Sequence, residues 1–199
     1  TVKDVATANM DGIDPNTLRQ ARTSYQNILD ILNGTVLVGD VTGKTVEGRV
    51  IIGAGSAEQI EKATSPGDIA IVSNRSESQL AALEMDAGCI IVCNDGKVPR
   101  TICMLAEEKG CMVITTSMGT YAAGQIISQA VPIRYFMSTE NLLTFTLHTP
   151  VESATKVMAT VRFRYFPVLD EDGKYIGVVS RRNMLNLHKK QLILVDHNE

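Results

Sequence analysis

The sequence contains no tryptophan, and only 5% of its 199 residues are aromatic. No apolar run approaches the ~20 residues that a membrane-spanning helix needs. The formal net charge is −3, so the composition offers no excess of basic residues for binding nucleic acid. Hydrophobic residues make up 44% and charged residues 21%, which is typical of one or two globular domains. We therefore expect neither nucleic acid nor a membrane among the partners of this chain.

The cysteines are few and lack the spacing of a zinc site. All four lie in one short segment, at Cys89, Cys93, Cys103 and Cys111. A structural zinc site needs two close pairs such as C-x2-C, and that pattern is missing. Buried, reduced thiols are the simpler interpretation, and they are typical of a cytosolic protein. No signal peptide opens the chain, so we expect a cytoplasmic location.

Catalytic motifs are also missing. Residues 39–45, GDVTGKT, have three residues between their glycines, whereas a P-loop needs four, and Val38 stands where its first glycine belongs. The segment Gly53–Ser56 has only the first half of a dinucleotide fingerprint. The three histidines form no metal-binding pair, and no nucleophile has a partner base. These observations favour turns at both glycine segments and binding rather than catalysis.

Hydrophobic periodicity divides the first two thirds of the chain into two regions. Residues 1–32 have a helical pattern, in which Asp14-Pro15 supplies an N-cap with proline at the first helical position and which Asn33-Gly34 ends. Residues 34–131 alternate short β-branched runs with helical patterns, which predicts a small, doubly wound α/β domain with a parallel sheet. The predicted strands are Val36–Val38, Val50–Ile52, Ile69–Val72, Cys89–Cys93 and Met112–Thr115, and the predicted helices cover 56–63, 76–87, 98–109 and 118–128.

Residues 132–190 have a different pattern. A first strand is followed by a helix at Val151–Thr160, strands at Tyr165–Leu169 and Tyr175–Val179, and a helix at Arg181–Leu187. This β-α-β-β-α order predicts a compact α+β unit. So small a unit buries little apolar surface by itself, and we expect it to pair with a second copy.

Four residues of this unit are candidates for binding a ligand. Ser180 ends a strand and begins a helix, where its hydroxyl can cap the helix. Asn183, three residues later, can bond two neighbouring hydroxyls such as those of a ribose. Arg164 can hold a phosphate, and Tyr165 offers a ring face to a base. The residues alone leave open the alternative that Ser180 is only a helix cap and Asn183 only a solvated residue.

Residues 134–188 resemble a CBS domain, a module that binds adenine nucleotides as tandem pairs. The segments that carry the resemblance, in the order of the family, are Arg134–Met137, Thr149-Pro150, Phe166–Val168, the Asp172-Gly173 turn and Gly177–Asn183. The resemblance implies a nucleotide site formed by Thr149, Arg164, Tyr165, Ser180 and Asn183. Asn183 replaces the commoner aspartate of the family.

The start of the chain resembles the end of a first CBS domain. Thr1-Val2-Lys3-Asp4 has the Thr-x-x-Asp form of the same motif. The resemblance therefore implies that Thr1 and Asp4 also bind nucleotide.

Residues 34–131 resemble a DRTGG domain, an α/β module to which we assign no ligand. Ser73–Glu77, the helix after it and Cys89–Gly96 follow the layout of that family. Asn74-Arg75 stands in place of Asp-Arg, and Cys93–Gly96 stands where Thr-Gly-Gly is usual.

Both ends of the sequence point to a larger protein. The chain begins without Met and stops after a strand-like run, Leu192–Val195, so we expect a fragment. Val195–Glu199, VDHNE, resembles the signature of family II (DHH-type) inorganic pyrophosphatases, some of which carry a CBS–DRTGG–CBS insert ahead of it. The resemblance implies that Asp196 ligates catalytic manganese or cobalt in the intact parent enzyme, whereas the fragment is non-catalytic and holds no metal.

The resemblances together imply an order of domains. Residues 1–33 would be the end of the first CBS domain with a linker helix, 34–131 the DRTGG-like domain, 132–190 the second CBS domain, and 191–199 the first strand of the catalytic domain.

Three functions remain open. We favour a regulatory insert that binds AMP, ADP, ATP or a diadenosine polyphosphate, forms a homodimer through CBS modules, and tunes a pyrophosphatase that hydrolyses diphosphate to phosphate. The alternative is a stand-alone CBS/DRTGG nucleotide sensor attached to a different effector, and the sequence after Glu199 would discriminate the two. The third is an α/β enzyme built on residues 34–131, which would need a nucleophile with its base.

Overall fold

The computed structural model describes residues 14–187. The chain divides into two compact units, unit 1 up to Met137 and unit 2 from Ser138. Residues 1–13 of the predicted N-terminal helix lie outside the described range. Among the described residues, no helix is long and apolar enough to cross a membrane.

Unit 1 begins with two short helices, α1 (Thr17–Gln20) and α2 (Tyr25–Ile31). The prediction of one continuous helix was wrong here, because Arg22 takes a left-handed φ of 49° and separates the two. The second helix can begin because the Ser24 hydroxyl accepts a hydrogen bond from the N–H of Asn27 over 3.2 Å.

A five-stranded sheet forms the centre of unit 1, with strand order β1-β5-β4-β3-β2. Its strands are β1 (Thr35–Val38), β2 (Val50–Gly53), β3 (Ile69–Val72), β4 (Cys89–Val92) and β5 (Met112–Thr115). The helices that follow β2, β3, β4 and β5 are α3 (Ala57–Ala63), α4 (Ser76–Glu84), α5 (Arg100–Lys109) and α6 (Thr120–Ile126). The predicted elements of this region are confirmed, with bounds that differ by a few residues.

The first strand departs from the prediction of a parallel sheet. Strands β2 to β5 are parallel, but β1 is antiparallel to β5. The turn after α2 brings Gly34 so close to β5 that a Cβ there would lie 2.9 Å from Ile114 Cγ2. Since Thr35 then pairs with Thr115 at the carboxyl end of β5, β1 has to run back along β5 in the opposite direction.

Helices cover both faces of the sheet. Ile69 and Ile71 of β3 pack in one apolar core, which contains residues of α1, α2 and α6. Ala70 and Val72 of the same strand point to the other face, where the core contains residues of α3, α4 and α5. This alternation confirms the α/β class. The three helices that connect parallel strands share one face, so the other face is covered by helices that precede β1 or follow β5.

The last residues of unit 1 are tied to its first helices. Arg134 Nη2 donates hydrogen bonds to the carbonyl oxygens of Ala21 (3.4 Å) and Arg22 (3.0 Å). The Tyr135 hydroxyl is bonded to Gln20 Oε1 over 3.1 Å. The two residues that carried the start of the CBS resemblance therefore pack within unit 1.

Unit 2 has the predicted β-α-β-β-α order. Its strands β6 (Phe145–Thr146), β7 (Tyr165–Leu169) and β8 (Tyr175–Ser180) form one sheet in that order, and its helices are α7 (Val151–Thr160) and α8 (Arg181–Leu187). Strand β6 is parallel to β7, and β7 is antiparallel to β8. The buried apolar core is small and consists of Phe145, Ala154, Met158, Phe166 and Met184.

Candidate functional site

Three of the predicted site residues meet where β7 begins and β8 ends. Tyr165 and Ser180 are directly paired in the antiparallel register. The next backbone bond outward joins the N–H of Arg181 to the carbonyl oxygen of Arg164 over 3.0 Å. Arg164, Tyr165 and Ser180 therefore lie together at one end of strands β7 and β8.

Asn183 joins this group through the helix cap. The Ser180 hydroxyl oxygen accepts a hydrogen bond from the N–H of Asn183 over 3.2 Å, which is the cap that the sequence predicts. The cap occupies an acceptor position of the hydroxyl and leaves its proton free to donate. Asn183 itself lies in the first turn of α8, beside the same strand end.

The side chains of this cluster are accessible, whereas the strand that carries two of them is anchored in the core. Tyr165 is 68% exposed, and the next residue, Phe166, is 0% exposed. Arg164 and Asn183 are exposed, and Ser180 is half-buried. The cluster thus offers an aromatic face, a guanidinium and two small hydrogen-bonding groups. These groups can stack on a flat ring, hold an anion and form hydrogen bonds.

The structure does not bring Thr149 into this cluster. Because β6 runs parallel to β7, with Phe145 opposite Val168 and Thr146 opposite Leu169, the residues after β6 lie at the other end of β7 from Tyr165. There the Thr149 hydroxyl accepts a hydrogen bond from the N–H of Thr146 over 2.9 Å. Thr149 therefore closes a turn.

The end of the sheet near Thr149 carries a cavity that the sequence did not predict. Its volume is about 400 Å³, and it is lined by Thr146, Leu147, His148, Leu169, Asp170, Glu171 and Asp172. Three carboxylates repel a phosphate, so this cavity is a poor place for a nucleotide. The signal in the sequence is the acidic turn Asp170–Asp172.

The remaining predicted site residues, Thr1, Asp4 and Asp196, lie outside the described residues. Within residues 14–187, no group of three or more histidine, cysteine or acidic side chains could hold a metal ion.

Sequence reasoning missed one residue of the cluster, Arg181. Its guanidinium Nη2 donates hydrogen bonds to the carbonyl oxygens of Met158 and Val161, at the end of α7. The sequence shows an arginine after Ser180, but only the fold brings the end of α7 within its reach.

The glycine segments of unit 1 form turns, as predicted. The Asp40 carboxylate accepts bonds from the N–H and the hydroxyl of Thr42, at 2.9 Å and 2.7 Å, and these bonds lower the pKa of that carboxyl. After β2, the Ser56 hydroxyl accepts from the N–H of Gln59, whose side chain accepts from the N–H of Ser56. These contacts make a closed turn and a helix cap.

The cysteines are free thiols, and three of the four are buried. Burial raises the pKa of Cys93 to about 11 and that of Cys111 to about 12. A thiol so raised stays protonated and unreactive near neutral pH. The prediction of buried, reduced thiols is confirmed for Cys89, Cys93 and Cys111, whereas Cys103 is half-buried.

Comparison with known proteins identifies two domain families in this chain. The model of the DRTGG domain matches residues 27–130, and the model of the CBS domain matches residues 133–190.

Two curated relatives are inorganic pyrophosphatases. The chain is 33% identical over its full length to the cobalt-dependent inorganic pyrophosphatase of Clostridium perfringens. It is 30% identical over 88% of its length to the probable manganese-dependent inorganic pyrophosphatase of Thermotoga maritima. The chain spans 36% and 32% of the length of these two relatives.

A solved structure covers most of the chain. It contains the CBS and DRTGG domains of the regulatory region of Clostridium perfringens pyrophosphatase, complexed with the activator diadenosine tetraphosphate. The match has a TM-score of 0.76 and 31% identity over 91% of this chain and 79% of that chain. The chain therefore belongs to the family of CBS–DRTGG regulatory regions of inorganic pyrophosphatases.

Proposed function

We propose that unit 2 binds the adenosine part of an adenine nucleotide at the cluster of Arg164, Tyr165, Ser180 and Asn183. The observation that carries the proposal is the pairing of Tyr165 with Ser180, whose hydroxyl caps the helix at Asn183, so that a ring face and two hydrogen-bonding residues lie near one end of strands β7 and β8. The match to a regulatory region whose structure contains diadenosine tetraphosphate supports this ligand class.

Each side chain has a separate task in this proposal. The Tyr165 ring stacks on adenine, since an exposed aromatic face favours a flat, apolar surface. Asn183 and the hydroxyl proton of Ser180 bind the ribose hydroxyls. Arg164 binds the phosphates through its planar guanidinium. The ligands that fit are AMP, ADP, ATP and diadenosine polyphosphates, and Thr149 takes no part.

The ligand acts as a regulator of a larger enzyme. We propose that the parent protein is a cytoplasmic, manganese- or cobalt-dependent pyrophosphatase that hydrolyses diphosphate, with Asp196 among its metal ligands. The two pyrophosphatase relatives support this assignment. Nucleotide binding changes the activity only if the ligand binds two states of the enzyme unequally.

The nucleotide site is completed by a second CBS element. A diadenosine polyphosphate has two adenosine groups, and the cluster in unit 2 accommodates one. We propose that Thr1 and Asp4 belong to the first CBS domain of the same chain and contribute to the paired site. We also propose that two chains form a homodimer through their CBS modules.

Calorimetric titration of the 199-residue chain with AMP, ATP and diadenosine tetraphosphate tests the binding. We expect Asn183→Ala to lower the affinity for all three nucleotides about tenfold, the usual cost of a lost hydrogen bond to a ligand. Asn183→Asp keeps an acceptor for the ribose and should bind as the parent does. The proposal fails if the parent gives no heat with any of the three, or if Asn183→Ala binds as tightly as the parent.

A further inference from the structure

Arg181 holds both ends of the segment that leads to the candidate site. Its guanidinium donates to the carbonyl oxygen of Val161, directly after α7, and its backbone N–H donates to the carbonyl oxygen of Arg164. The connection between α7 and β7 is therefore attached at both ends to the first residue of α8. Arg164 and Tyr165 follow from this connection, and Ser180 immediately precedes Arg181.

The guanidinium also satisfies the end of α7. Met158 lies in the last turn of that helix, where carbonyl oxygens have no partner within the helix. Arg181 Nη2 donates to this carbonyl as well. A cation at a helix C-terminus is favourable because the helix dipole is negative there. Arg181 therefore has a defined position set by the fold, before any ligand is present.

The surroundings of Arg181 are mainly apolar. With Thr155, Met158, Ala159 and Met184, it lines a cavity of about 160 Å³ between α7 and α8. The Nε atom of Arg181 is buried and has no hydrogen-bond partner among residues 14–187. A side chain that lacks the guanidinium would leave the carbonyl oxygens of Met158 and Val161 unpaired at this apolar contact, which is costly. Arg182, the next residue, is exposed.

We infer that Arg181 is the positioning residue of the nucleotide site. It fixes the distance between the strand end that carries Arg164 and Tyr165 and the helix that carries Asn183, without touching the nucleotide. This inference rests on the proposed function of the cluster. If the Arg181 side chain is lost, both sides of the site move, so the affinities for adenosine and for AMP fall equally. Loss of a single phosphate contact would instead lower the affinity for AMP alone.

The test compares Arg181→Gln with Arg182→Gln, since each removes one positive charge from the first turn of α8. By calorimetry, we expect Arg181→Gln to bind both adenosine and AMP about tenfold more weakly. Arg182→Gln should bind adenosine as the parent does. Arg181→Lys keeps a cationic donor for the end of α7 and should restore affinity to within about threefold of the parent.

Amide hydrogen exchange supplies a readout that does not depend on the ligand. In Arg181→Gln, the N–H groups of residue 181 and of Asn183 should exchange faster than in the parent, whereas Arg182→Gln should leave both rates unchanged. If the parent binds no nucleotide, the proposed function fails. Unchanged exchange in Arg181→Gln overturns the positioning role even then.

Two binding results and one spectroscopic result would also overturn the inference. Arg181→Gln could bind both ligands like the parent. It could lose affinity for AMP alone, which would make Arg181 a phosphate contact. It could also lose its helical circular dichroism, which would make Arg181 a residue needed for folding of unit 2 rather than for the shape of the site.

Discussion

The backbone N–H of Arg181 donates a hydrogen bond to the carbonyl oxygen of Arg164 over 3.0 Å, just outside the pair of Tyr165 and Ser180. The two strand ends therefore present their side chains in a fixed order, with a guanidinium and a ring on one side and a hydroxyl and an amide on the other. A nucleotide that contacts all of them does so through its base, its ribose and its phosphates. Ligands that contain or lack one of these groups therefore report on the residue that binds that group.

Arg164→Gln should separate phosphate binding from adenosine binding. If the guanidinium holds a phosphate, the variant loses about 1.5–3 kcal/mol of binding free energy for AMP and ATP, the usual range for a hydrogen bond to a charged group. Its binding free energy for adenosine should change little. Arg162→Gln is the matched control, because Arg162 is also exposed and lies two residues earlier. Titration calorimetry measures the three affinities. Equal losses for all three ligands would show that Arg164 is structural.

Tyr165→Leu should weaken the binding of adenosine, AMP and ATP to the same degree. Stacking on an aromatic ring contributes ~0.5–1.5 kcal/mol beyond the buried area, and this term does not depend on the phosphate. Tyr175→Leu is a close control, since Tyr175 is 61% exposed and pairs with Leu169 at the opposite end of the hairpin. If Tyr175→Leu lowers the affinities as much as Tyr165→Leu does, the base does not bind specifically at Tyr165.

Most elements could be predicted because local sequence determines them. The runs Ile69–Val72 and Cys89–Val92 are entirely buried, and β-branched runs of this length between helical patterns indicate parallel strands. The Ser180 cap was also predictable, since a hydroxyl at the end of a strand and before a helical pattern satisfies free N–H groups locally.

Other features depend on contacts between distant parts of the chain. The direction of β1 follows from the approach of Gly34 to Ile114, which no local pattern contains. Thr149 is part of a motif in the sequence, but the parallel pairing of β6 with β7 places it away from Tyr165. The role of Arg181 depends on where α7 ends in space. Local sequence therefore predicts the ends of strands β7 and β8, but it does not predict the contacts between Arg181 and the end of α7.

Alkaline pH should destabilise unit 1 through its buried thiols. Burial raises the pKa of Cys93 to about 11 and that of Cys111 to about 12, whereas thiols in the unfolded chain titrate near ~8.5. Above about pH 8.5, the unfolded chain therefore loses protons that the folded chain keeps, so the free energy of unfolding falls as pH rises.

Urea unfolding at about pH 8 and about pH 10 measures this effect, since the unfolded thiols ionise largely within that window. We expect a lower midpoint at the higher pH, and a smaller decrease for Cys111→Ala than for the parent. The comparison uses the change with pH within each protein, because the cavity left by the substitution lowers stability at both values. An equal decrease in the two proteins would exclude Cys111 as a source.

Gly48 should not tolerate a side chain. A Cβ at this position would lie 2.1 Å from the carbonyl oxygen of Gly67 and 2.5 Å from Cα of Asp68. Backbone atoms cannot move aside as side chains do, so we expect Gly48→Ala to lower the free energy of unfolding by about 3 kcal/mol or more. Gly119→Ala is the control, since in the described part of the chain its Cβ would come within 4 Å of Asn94 Oδ1 alone, at 3.4 Å. Urea unfolding followed by circular dichroism compares the two, and similar midpoints would contradict the close contact.

The outer face of the unit 2 sheet should form the contact of a homodimer. Phe166 and Val179 pair across β7 and β8 and pack in the core, so their neighbours Pro167 and Val178 share the opposite face. Val178 is 54% exposed. An apolar sheet face is stable when another apolar surface covers it, and two-fold pairing of identical faces is the commonest arrangement.

Light scattering of the full chain tests this dimer. We expect twice the mass of one chain for the parent and a monomer for Val178→Lys, because a buried lysine without a partner opposes association. Met104→Lys is the control, since Met104 is 59% exposed on α5 of unit 1, and this variant should remain dimeric. A parent that stays monomeric at high concentration with nucleotide present would contradict the prediction. If Met104→Lys is the variant that dissociates, the chains meet through unit 1, because the added charge then lies in their contact.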